Sequence, residues 1–382
     1  MGKPIIALLT NNDDDVYCFR KELIEALVEN GYEVLISCPA GPKFELMGNI
    51  EYIYDNPAID RRGTNPIRDF SLFLHYRQLF KRYKPSIVLT YTAKPNVYAS
   101  IAAHQLHIPV INNLTGLGSV IKKKGIKRRF IMWLFKEAYQ KSSCIMFQNA
   151  INMQVAIKQG MVKGNYKLIP GSGVNTKRYP LQKYPDGGDG KVGAMVVFNY
   201  IGRILHDKGV DDYIEAAKQI KSEFPNTEFN MLGFIEPTEM HYETELKELE
   251  RQGIVKYRGS QNDIKPWIVR AHATIHPSTY GEGMSNVLLE SASSGRFLIT
   301  TNNPGCQETL EHEKTGYIYE GGNVEALVMA IKRFLALPNE TRKTMGIAGR
   351  ERVKSMFSRD IVVNTYLEEI SQILNNNRFN NL

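Results

Sequence analysis

Short apolar runs alternate with longer amphipathic segments along almost the whole chain. In the first half, six runs of three to five residues have the length and the apolar character of buried strands. These runs are Ile5–Leu9, Glu33–Ser37, Ile87–Tyr91, Val110–Asn112, Ile145–Phe147 and Lys167–Ile169. Segments of helical length and periodicity lie between them. The alternation predicts a parallel sheet with helices on both faces, which is a Rossmann-like domain.

The second half repeats this pattern. Its predicted strands are Val196–Ile201, Glu228–Leu232, Val255–Tyr257, Thr274–His276, Phe297–Thr300 and Tyr317–Tyr319. Between the halves, residues 179–192 are rich in Pro, Gly, Asp and Lys, as exposed linkers are. We therefore predict an α/β fold of two doubly wound domains, residues 1–178 and 179–358, that face a central cleft. Ligands of such sheets bind at the carboxyl ends of the strands, so the chemistry is expected there.

The composition excludes several classes of protein. A hydrophobic fraction of 43% and a charged fraction of 23% are typical of a globular protein, and no stretch approaches the roughly 18 apolar residues of a membrane span. The apolar start lacks the flanks of a signal peptide, so a cytoplasmic location is expected. The four cysteines, scattered along the chain, argue against zinc, a redox pair or disulfides.

The positive charge is concentrated in the first half. Residues 1–178 contain 25 Lys and Arg against 13 Asp and Glu, whereas residues 179–382 contain 23 against 27. The segment 122–136 interleaves basic residues with Phe, Trp and Leu, as interfacial helices do. Its membrane-facing candidates are Lys122, Lys123, Lys124, Lys127, Arg128, Arg129 and Trp133. An anionic membrane surface would bind them; alternatively, the aromatic residues form the buried face of a helix.

One motif combines a strand end, a glycine loop and a helix start. It runs from Pro277 to Glu290, and seven residues separate Glu282 from Glu290. If the helix starts near Ser285, unpaired backbone N–H groups and the positive end of the helix dipole face the ligand, as a diphosphate requires. Glu282 would then hold a sugar, and Glu290 two vicinal ribose hydroxyls. The alternative is a glycine turn that caps a helix, with one surface and one inward glutamate.

A second motif supplies cations. Gly202 and Arg203 follow a predicted strand, and Lys208 lies on the loop before the next helix. A bidentate Arg with a Lys point charge neutralises a diphosphate, and a leaving nucleoside diphosphate gains negative charge in the transition state. Arg203 and Lys208 are therefore expected to assist catalysis as well as binding. The alternative is a pair of solvated surface charges.

The run Asp13–Asp15 has two interpretations. It could be an acidic metal-binding motif. However, it follows the first strand and precedes a helix, where acidic residues stabilise a helix start. We favour the helix start, and no metal or other cofactor is expected.

Together these motifs resemble the donor-site signature of family 4 of the retaining glycosyltransferases, which have the GT-B fold. Pro170–Asn175 is similar to the turn that precedes the linker in this family, and Asn112–Ser119 to its glycine-rich segment. The resemblance spans essentially the whole chain. Two departures are that Asn175 stands where an aspartate is usual, and that the first loop, 11–15, lacks the expected glycines.

The resemblance implies metal-independent transfer of a sugar with retention of configuration. The implied catalytic residues are Arg203, Lys208 and Glu282. The donor is expected to be a UDP-sugar, and the residues implied to bind it are Gly202, Gly283, Met284, Ser285, Asn286 and Glu290. The implied acceptor is a saccharide on a polyprenyl diphosphate, used in bacterial surface polysaccharides or glycoproteins and contacted by Arg20, Lys94, Gly116 and Gly118. The first domain would bind the acceptor at the inner face of the cell membrane, and a last helix, 359–377, would pack back on it.

Three other functions compete with this interpretation. A nucleotide-sugar 2-epimerase of related fold would not require the basic aromatic segment. A nucleic-acid-binding protein would use the basic half, but would have little need for the paired glutamates. An oxidoreductase is disfavoured because no Gly-x-Gly-x-x-Gly motif follows the first strand.

Overall fold

Thirteen strands in two parallel sheets form the framework of the computed structural model. It describes residues 2–60, 63, 65–116, 126–187 and 195–380, with the side chains of all but 126–128 and 377–380. The chain divides into unit 1, Met1–Ser172 with Arg359–Leu382, and unit 2, Gly173–Ser358. This division falls six residues before the predicted boundary after residue 178. The reason is local: Val174 forms a bridge with Ser358, and its N–H donates to the carbonyl of Phe357.

Unit 1 contains a seven-stranded sheet. In chain order its elements are β1 Ile5–Leu9, α1 Asp13–Phe19, α2 Lys21–Glu29, β2 Glu33–Ser37, β3 Ile53–Asp55, α3 Pro66–Tyr83, β4 Ile87–Tyr91, α4 Ser100–Gln105, β5 Val110–Leu114, α5 Ile126–Tyr139, β6 Cys144–Phe147, α6 Ala150–Lys158 and β7 Asn165–Leu168. The strand order is β3-β2-β1-β4-β5-β6-β7, and every pair is parallel. A single π-helical turn, Pro95–Ala99, precedes α4.

Helices cover both faces of this sheet because its strands are apolar on both sides. On one face, α3 and α4 bury side chains such as Leu72 and Ala102 against the sheet. On the other face, α2 packs beside the last helix of the chain, α13 Arg359–Asn380. That helix contributes Val362, Val363, Tyr366, Ile370 and Ile373 to the core of unit 1.

Unit 2 has a six-stranded sheet of order β10-β9-β8-β11-β12-β13, also fully parallel. Its elements are β8 Val196–Ile201, α7 Val210–Glu223, β9 Thr227–Leu232, α8 His241–Arg251, β10 Lys256–Tyr257, α9 Lys265–Arg270, β11 Ala273–His276, α10 Asn286–Ser293, β12 Phe297–Thr301, β13 Gly316–Tyr319, α11 Val324–Ala336 and α12 Asn339–Met356. The core lies between the sheet and the helices, and the ring of Phe198 contacts those of Phe229 and Phe334.

All twelve predicted strands are present, with ends that shift by up to two residues. The prediction missed β3, which has only three residues at the edge of the sheet and lacks a continuous apolar run. The triplet Asp13–Asp15 forms the first turn of α1, and the side chain of Asn12 caps that helix by accepting from the N–H of Asp15. The final helix runs from Arg359 to Asn380, three residues longer than the predicted 359–377.

Candidate donor site and family

Four loops meet at the carboxyl edge of the sheet in unit 2. They follow the central strands β8, β9, β11 and β12. The strand order reverses at β8, which has β9 on one side and β11 on the other. Open α/β sheets bind ligands at such a switch point, because the loops on its two sides diverge and leave a crevice. Both predicted motifs lie on these loops.

Two glycines allow the loops to approach one another closely. Gly209 has a φ of +73°, and a Cβ atom there would collide with the carbonyl oxygen of Pro277. Gly233 has a φ of +142°, and its Cβ would collide with the carbonyl of Gly202. Only glycine fits such positions without strain. The Gly202 loop is thereby held against its neighbours on both sides.

The carboxylate of Glu282 is the centre of this edge. Its Oε1 atom lies 2.5 Å from the ammonium of Lys208, and accepts from Ser278 Oγ at 3.0 Å. The ring Nε2 of His276 lies 3.1 Å from the same oxygen. The side chains of Lys208 and Glu282 are only 10% and 13% exposed. The two predicted catalytic residues, 74 positions apart, are therefore in direct contact.

This environment keeps Glu282 ionised. Burial by itself raises the pKa of this carboxyl, but the charge of Lys208 and the hydrogen bond with His276 outweigh it, so that the pKa lies well below its usual range. Opposite charges and hydrogen bonds to the charged form both favour the carboxylate. Glu282 is thus a fixed negative acceptor, and not a proton donor, at neutral pH.

Arg203 is held at the same edge by a different partner. Its guanidinium donates to Glu236 Oε1 at 2.6 Å, and Glu236 is 3% exposed. The guanidinium carbon of Arg203 lies 5.7 Å from the centre of the Tyr280 ring, and the ammonium of Lys208 lies 5.0 Å from it. The two predicted cations therefore converge on one aromatic side chain of the Glu282 loop.

The start of α10 presents further polar groups. The helix begins at Asn286, one residue after the predicted start, and the backbone N–H of Ser285 donates to the carbonyl of Gly305 at 2.7 Å. Among the described residues, the buried Oγ of Ser285 and Oδ1 of Asn286 have no hydrogen-bond partner. Buried polar atoms of this kind usually have partners, and their lack here is consistent with a site that a ligand completes.

The other predicted donor residues lie around this helix start. Gly202 directly follows β8, Gly283 and Met284 are buried in the loop before α10, and Glu290 is half-buried on the helix itself. The arrangement offers a helix terminus and two cations to a pyrophosphate, with one carboxylate in the loop and a second in the helix.

Within the described residues, one cluster has the donor types of a metal site. Ligand atoms of His276, Glu282 and Cys306 lie within 4.8 Å of one another. However, the ammonium of Lys208 already occupies the carboxylate, and burial together with the charge of Glu282 raises the pKa of the Cys306 thiol well above its usual value. A metal would have to displace both the ammonium and a thiol proton.

The predicted acceptor residues have varied positions in unit 1. Gly116 follows β5 with a φ of +142°, whereas Gly118 lies outside the described residues. Lys94 is paired with Asp69, at 2.6 Å between Nζ and Oδ1. Arg20 is 1% exposed and stacks over Tyr91 at 4.0 Å, and its Nε and Nη2 atoms have no partner among the described residues. A ligand reaches Arg20 only if side chains around it move.

The basic aromatic segment is described in part. Lys122, Lys123 and Lys124 lie outside the described residues, and so do the side chains of Lys127 and Arg128. Arg129 is exposed at the start of α5. Phe130 and Trp133 are 58% and 53% exposed, and their rings stack 5.8 Å apart, whereas Met132 and Phe135 are buried on the opposite face. The alternative that the whole aromatic stripe is buried is therefore wrong for Phe130 and Trp133.

Sequence reasoning missed four residues of this edge: Glu236, His276, Ser278 and Tyr280. Three of them, His276, Ser278 and Tyr280, belong to the motif Pro277–Glu290 or directly precede it. Their position in the sequence, within six residues of Glu282, could therefore have identified them as members of the site. Glu236 follows β9 with no motif around it. Only the parallel pairing of β8 with β9 identifies it as a neighbour of Arg203.

Two family models, one for each half of the sequence, together match most of the chain. The family described as glycosyl transferases group 1 matches residues 190–352, and the one described as glycosyl transferase 4-like matches residues 6–149. The chain belongs to glycosyltransferase family 4. The glycosyltransferase activity expected from its donor-site motifs agrees with this membership.

This family 4 enzyme is similar in sequence or in structure to several known proteins. The capsular polysaccharide biosynthesis glycosyltransferase CapM of Staphylococcus aureus is 26% identical over 79% of this chain and 84% of its own. A Campylobacter jejuni N,N'-diacetylbacillosaminyl-diphospho-undecaprenol alpha-1,3-N-acetylgalactosaminyltransferase is 22% identical over 97% and 99%. The structure of Anabaena Alr3699/HepE in complex with UDP and glucose superposes with a TM-score of 0.78, at 17% identity, over 97% of this chain and 100% of that one. The predicted GT-B fold is confirmed.

Proposed function

We propose that this glycosyltransferase moves a hexose or N-acetylhexosamine from a UDP-sugar to a saccharide carried on a polyprenyl diphosphate. The transfer retains the anomeric configuration and uses no metal. The observation that carries the proposal is the contact between Lys208 and Glu282, beside the unpartnered polar atoms at the start of α10. The product would serve the assembly of a bacterial surface polysaccharide or a glycoprotein glycan.

The donor's pyrophosphate is proposed to lie at the start of α10. The backbone there, with the hydroxyl of Ser285, supplies hydrogen bonds, and the helix dipole favours a negative charge. Arg203 and Lys208 supply positive charge from the β8 side. Glu290 would accept hydrogen bonds from the two ribose hydroxyls. The UDP and glucose bound to HepE, which has the same fold, support a donor of this type.

Glu282 is proposed to orient the hydroxyls of the transferred sugar. Its Oε1 atom already interacts with Lys208, His276 and Ser278, which makes the carboxylate a poor nucleophile. Attack by the acceptor hydroxyl on the face that the diphosphate leaves therefore suits the geometry better than a covalent intermediate on Glu282. Lys208 and Arg203 stabilise the charge that grows on the leaving group, a function that a metal ion has in other transferases.

A lipid-linked acceptor is proposed from the charge of unit 1 and from a relative. The Campylobacter protein is named for an acceptor on diphospho-undecaprenol. Residues 1–178 have a balance of +12, which suits an acceptor diphosphate at an anionic membrane surface. Within the described residues, no helix is both long enough and apolar enough to span a bilayer. We propose that segment 122–133, with Phe130 and Trp133, docks reversibly on the inner face of the cell membrane, and that Gly116, Gly118 and Lys94 contact the acceptor.

A donor screen with a defined acceptor tests the proposal. Purified protein would be incubated with UDP-, GDP- and dTDP-sugars and a short synthetic polyprenyl-diphosphate saccharide, with and without EDTA. We expect transfer from a UDP-hexose or UDP-N-acetylhexosamine, an unchanged rate in EDTA, and the donor's own anomeric configuration in the product by NMR. An inverted product, a loss of activity in EDTA, or free epimerised sugar in place of transfer would each contradict the proposal.

Membrane docking has a separate test. Changing Lys122, Lys123 and Lys124 together to Gln should weaken binding to anionic vesicles by roughly a hundredfold, because each basic residue near an anionic leaflet contributes about 1 kcal/mol. Changing Lys343, an exposed lysine of unit 2, to Gln is the control. Equal vesicle binding by both variants would reject docking without affecting the transfer chemistry.

A further inference from the structure

A stripe of apolar side chains is exposed on helix α3. Ile67, Phe70 and Leu74 are 80%, 60% and 38% exposed. Their spacing of three and four residues places them on one face of the first three turns. The opposite face is buried through Leu72, Tyr76 and other side chains. We refer to Ile67, Phe70 and Leu74 as the α3 stripe.

The α3 stripe lies at the carboxyl edge of the sheet in unit 1. Helix α3 connects the parallel strands β3 and β4, so it runs antiparallel to them and begins at the carboxyl edge. Helix α5, between β5 and β6, begins at this edge for the same reason. The exposed Phe130 and Trp133 are in the first three turns of α5, as the α3 stripe is in those of α3.

The π-helical turn Pro95–Ala99 links the two helices on one face of the sheet. It packs against both α3 and α5, and its Tyr98 contacts the apolar clusters under each of them. Packed helices are about 8–10 Å apart, so the two exposed apolar sites are separated by roughly 20 Å across this turn. They lie on the same face and at the same end of unit 1.

The charges around the α3 stripe suit an anionic surface. The one acidic residue in the first turn of α3, Asp69, is compensated by Lys94 at 2.6 Å and by the hydroxyl of Tyr98 at 3.0 Å. The adjacent Arg68 is 69% exposed, and its guanidinium lies 3.5 Å from the carboxylate of Asp60, so most of this cation faces solvent. At α5 the exposed Arg129 precedes Phe130. Proteins that bind an anionic lipid interface do so through exposed apolar side chains that lie beside cationic ones.

We propose that the α3 stripe inserts into an anionic phospholipid bilayer as a second anchor beside Phe130 and Trp133. The inference rests on the proposed docking of segment 122–133 and deepens it. One anchor leaves a protein free to rotate on the membrane, whereas two anchors about 20 Å apart fix its orientation. The carboxyl edge of the sheet, where an acceptor is expected, would then face the lipid surface at a fixed height.

Partitioning onto vesicles tests the second anchor. The full chain would be sedimented with phosphatidylglycerol-rich vesicles and with neutral phosphatidylcholine vesicles. We expect Phe70→Ser to weaken binding to the anionic vesicles about tenfold. This factor corresponds to the loss of about half of the free energy of transferring a phenylalanine side chain from water into the bilayer. The matched control is Met329→Ser in unit 2, where the side chain is 64% exposed, and it should bind like the parent.

Fluorescence gives a second measurement that folding defects do not mimic. In a Trp133→Phe background, Phe70→Trp should be quenched by brominated lipids, whereas Met329→Trp should not be. Activity adds a third: Phe70→Ser should slow transfer to a long-chain acceptor in vesicles while transfer to a short-chain acceptor in solution is unchanged.

The outcomes separate this inference from the proposed function. If Trp133→Ser loses vesicle binding and Phe70→Ser does not, the second anchor is wrong and docking through α5 stands. If neither variant changes binding, both docking proposals fail while the donor chemistry is unaffected. If Phe70→Ser instead converts a dimer to a monomer in sedimentation velocity, the α3 stripe is an interface between copies of this chain and the membrane assignment is overturned.

Discussion

The carboxyl edges of the two sheets differ in how their polar groups are paired. In unit 2 the edge is ionic, with Lys208 against Glu282 and Arg203 against Glu236. In unit 1 the ends of β4 and β5 have uncharged side chains that hydrogen bond to one another and to their neighbours. Asn112 donates to Thr90 at 2.6 Å and to Ser100 at 2.7 Å, and Asn113 donates to Tyr366 of α13 at 2.7 Å.

The difference shows which groups the fold needs and which the chemistry needs. Uncharged amide networks rigidify a buried edge without a large desolvation cost. Partly buried ion pairs are poor stabilisers, because the cost of removing charges from water offsets most of their attraction. Since the ends of β4 and β5 in unit 1 are joined without charges, the charges at the ends of β8 and β11 in unit 2 are best explained by a charged ligand. The following predictions test this division, from the largest expected effect to the smallest.

Removing the charge of Lys208 should affect chemistry most. We expect Lys208→Met to lower kcat about a thousandfold, as the loss of a preorganised group facing developing charge does. Lys218→Met is the control, because Lys218 is half-exposed and pairs along its own helix with Glu215. Steady-state kinetics would measure the effect, and circular dichroism would verify the fold. Normal turnover by Lys208→Met would show that the ionic edge of unit 2 does not serve catalysis.

Breaking the uncharged network should affect stability instead. Asn112→Leu leaves the buried Thr90, Ser100 and Ser142 without their shared partner, so we expect a loss of about 3 kcal/mol in the free energy of unfolding. The exposed Asn30→Leu should cost less than about 0.5 kcal/mol. Denaturant titration measures both. Because Asn112 lies in unit 1, UDP binding by Asn112→Leu should be unchanged under native conditions, and weakened UDP binding would contradict the division.

Removing Glu290 should weaken the nucleoside end of the donor. Two lost hydrogen bonds to a charged acceptor, at about 1.5 kcal/mol each, predict roughly a hundredfold increase in the Kd of UDP for Glu290→Ala. Calorimetry with 2′,3′-dideoxy-UDP supplies the matched ligand, whose Kd should not change in the variant. Glu245→Ala, at an exposed position of α8, is the control. An equal loss of affinity for both ligands would exclude ribose binding by Glu290.

The smallest effect is expected from pH. The pKa of Glu282 is lowered, so this carboxylate is charged in the folded protein down to well below pH 4, and its contribution to stability is lost only as the pH falls through that lowered pKa. The rate of the parent enzyme should therefore change by less than about twofold between pH 8 and pH 5 through this group. In Lys208→Met, burial is no longer offset by the ammonium and the pKa of Glu282 rises, so the residual rate should decline towards pH 5. A parallel pH profile in both proteins would disprove this coupling.

The sequence was sufficient for the framework and for half of the ionic edge. Strands such as Val196–Ile201 are apolar on both faces and short, which leaves little choice of structure. Arg203, Lys208 and Glu282 were recognisable because each lies in a local motif. The partners of these residues were less visible, because Glu236 is brought to Arg203 only by strand pairing across 33 positions. The α3 stripe was also missed, since apolar side chains at helical spacing indicate a buried face unless the packing is known.

The position of α13 has a consequence for how the protein is made. This helix supplies five core side chains to unit 1, including Tyr366 and Ile370, yet it is synthesised after the whole of unit 2. Residues 173–358 must all be synthesised first, which takes on the order of 10–40 s at bacterial translation rates. During that interval the nascent first sheet carries an uncovered apolar face beside α2. Unit 2, whose residues are contiguous, can complete its fold before the portion of the chain that was translated earlier.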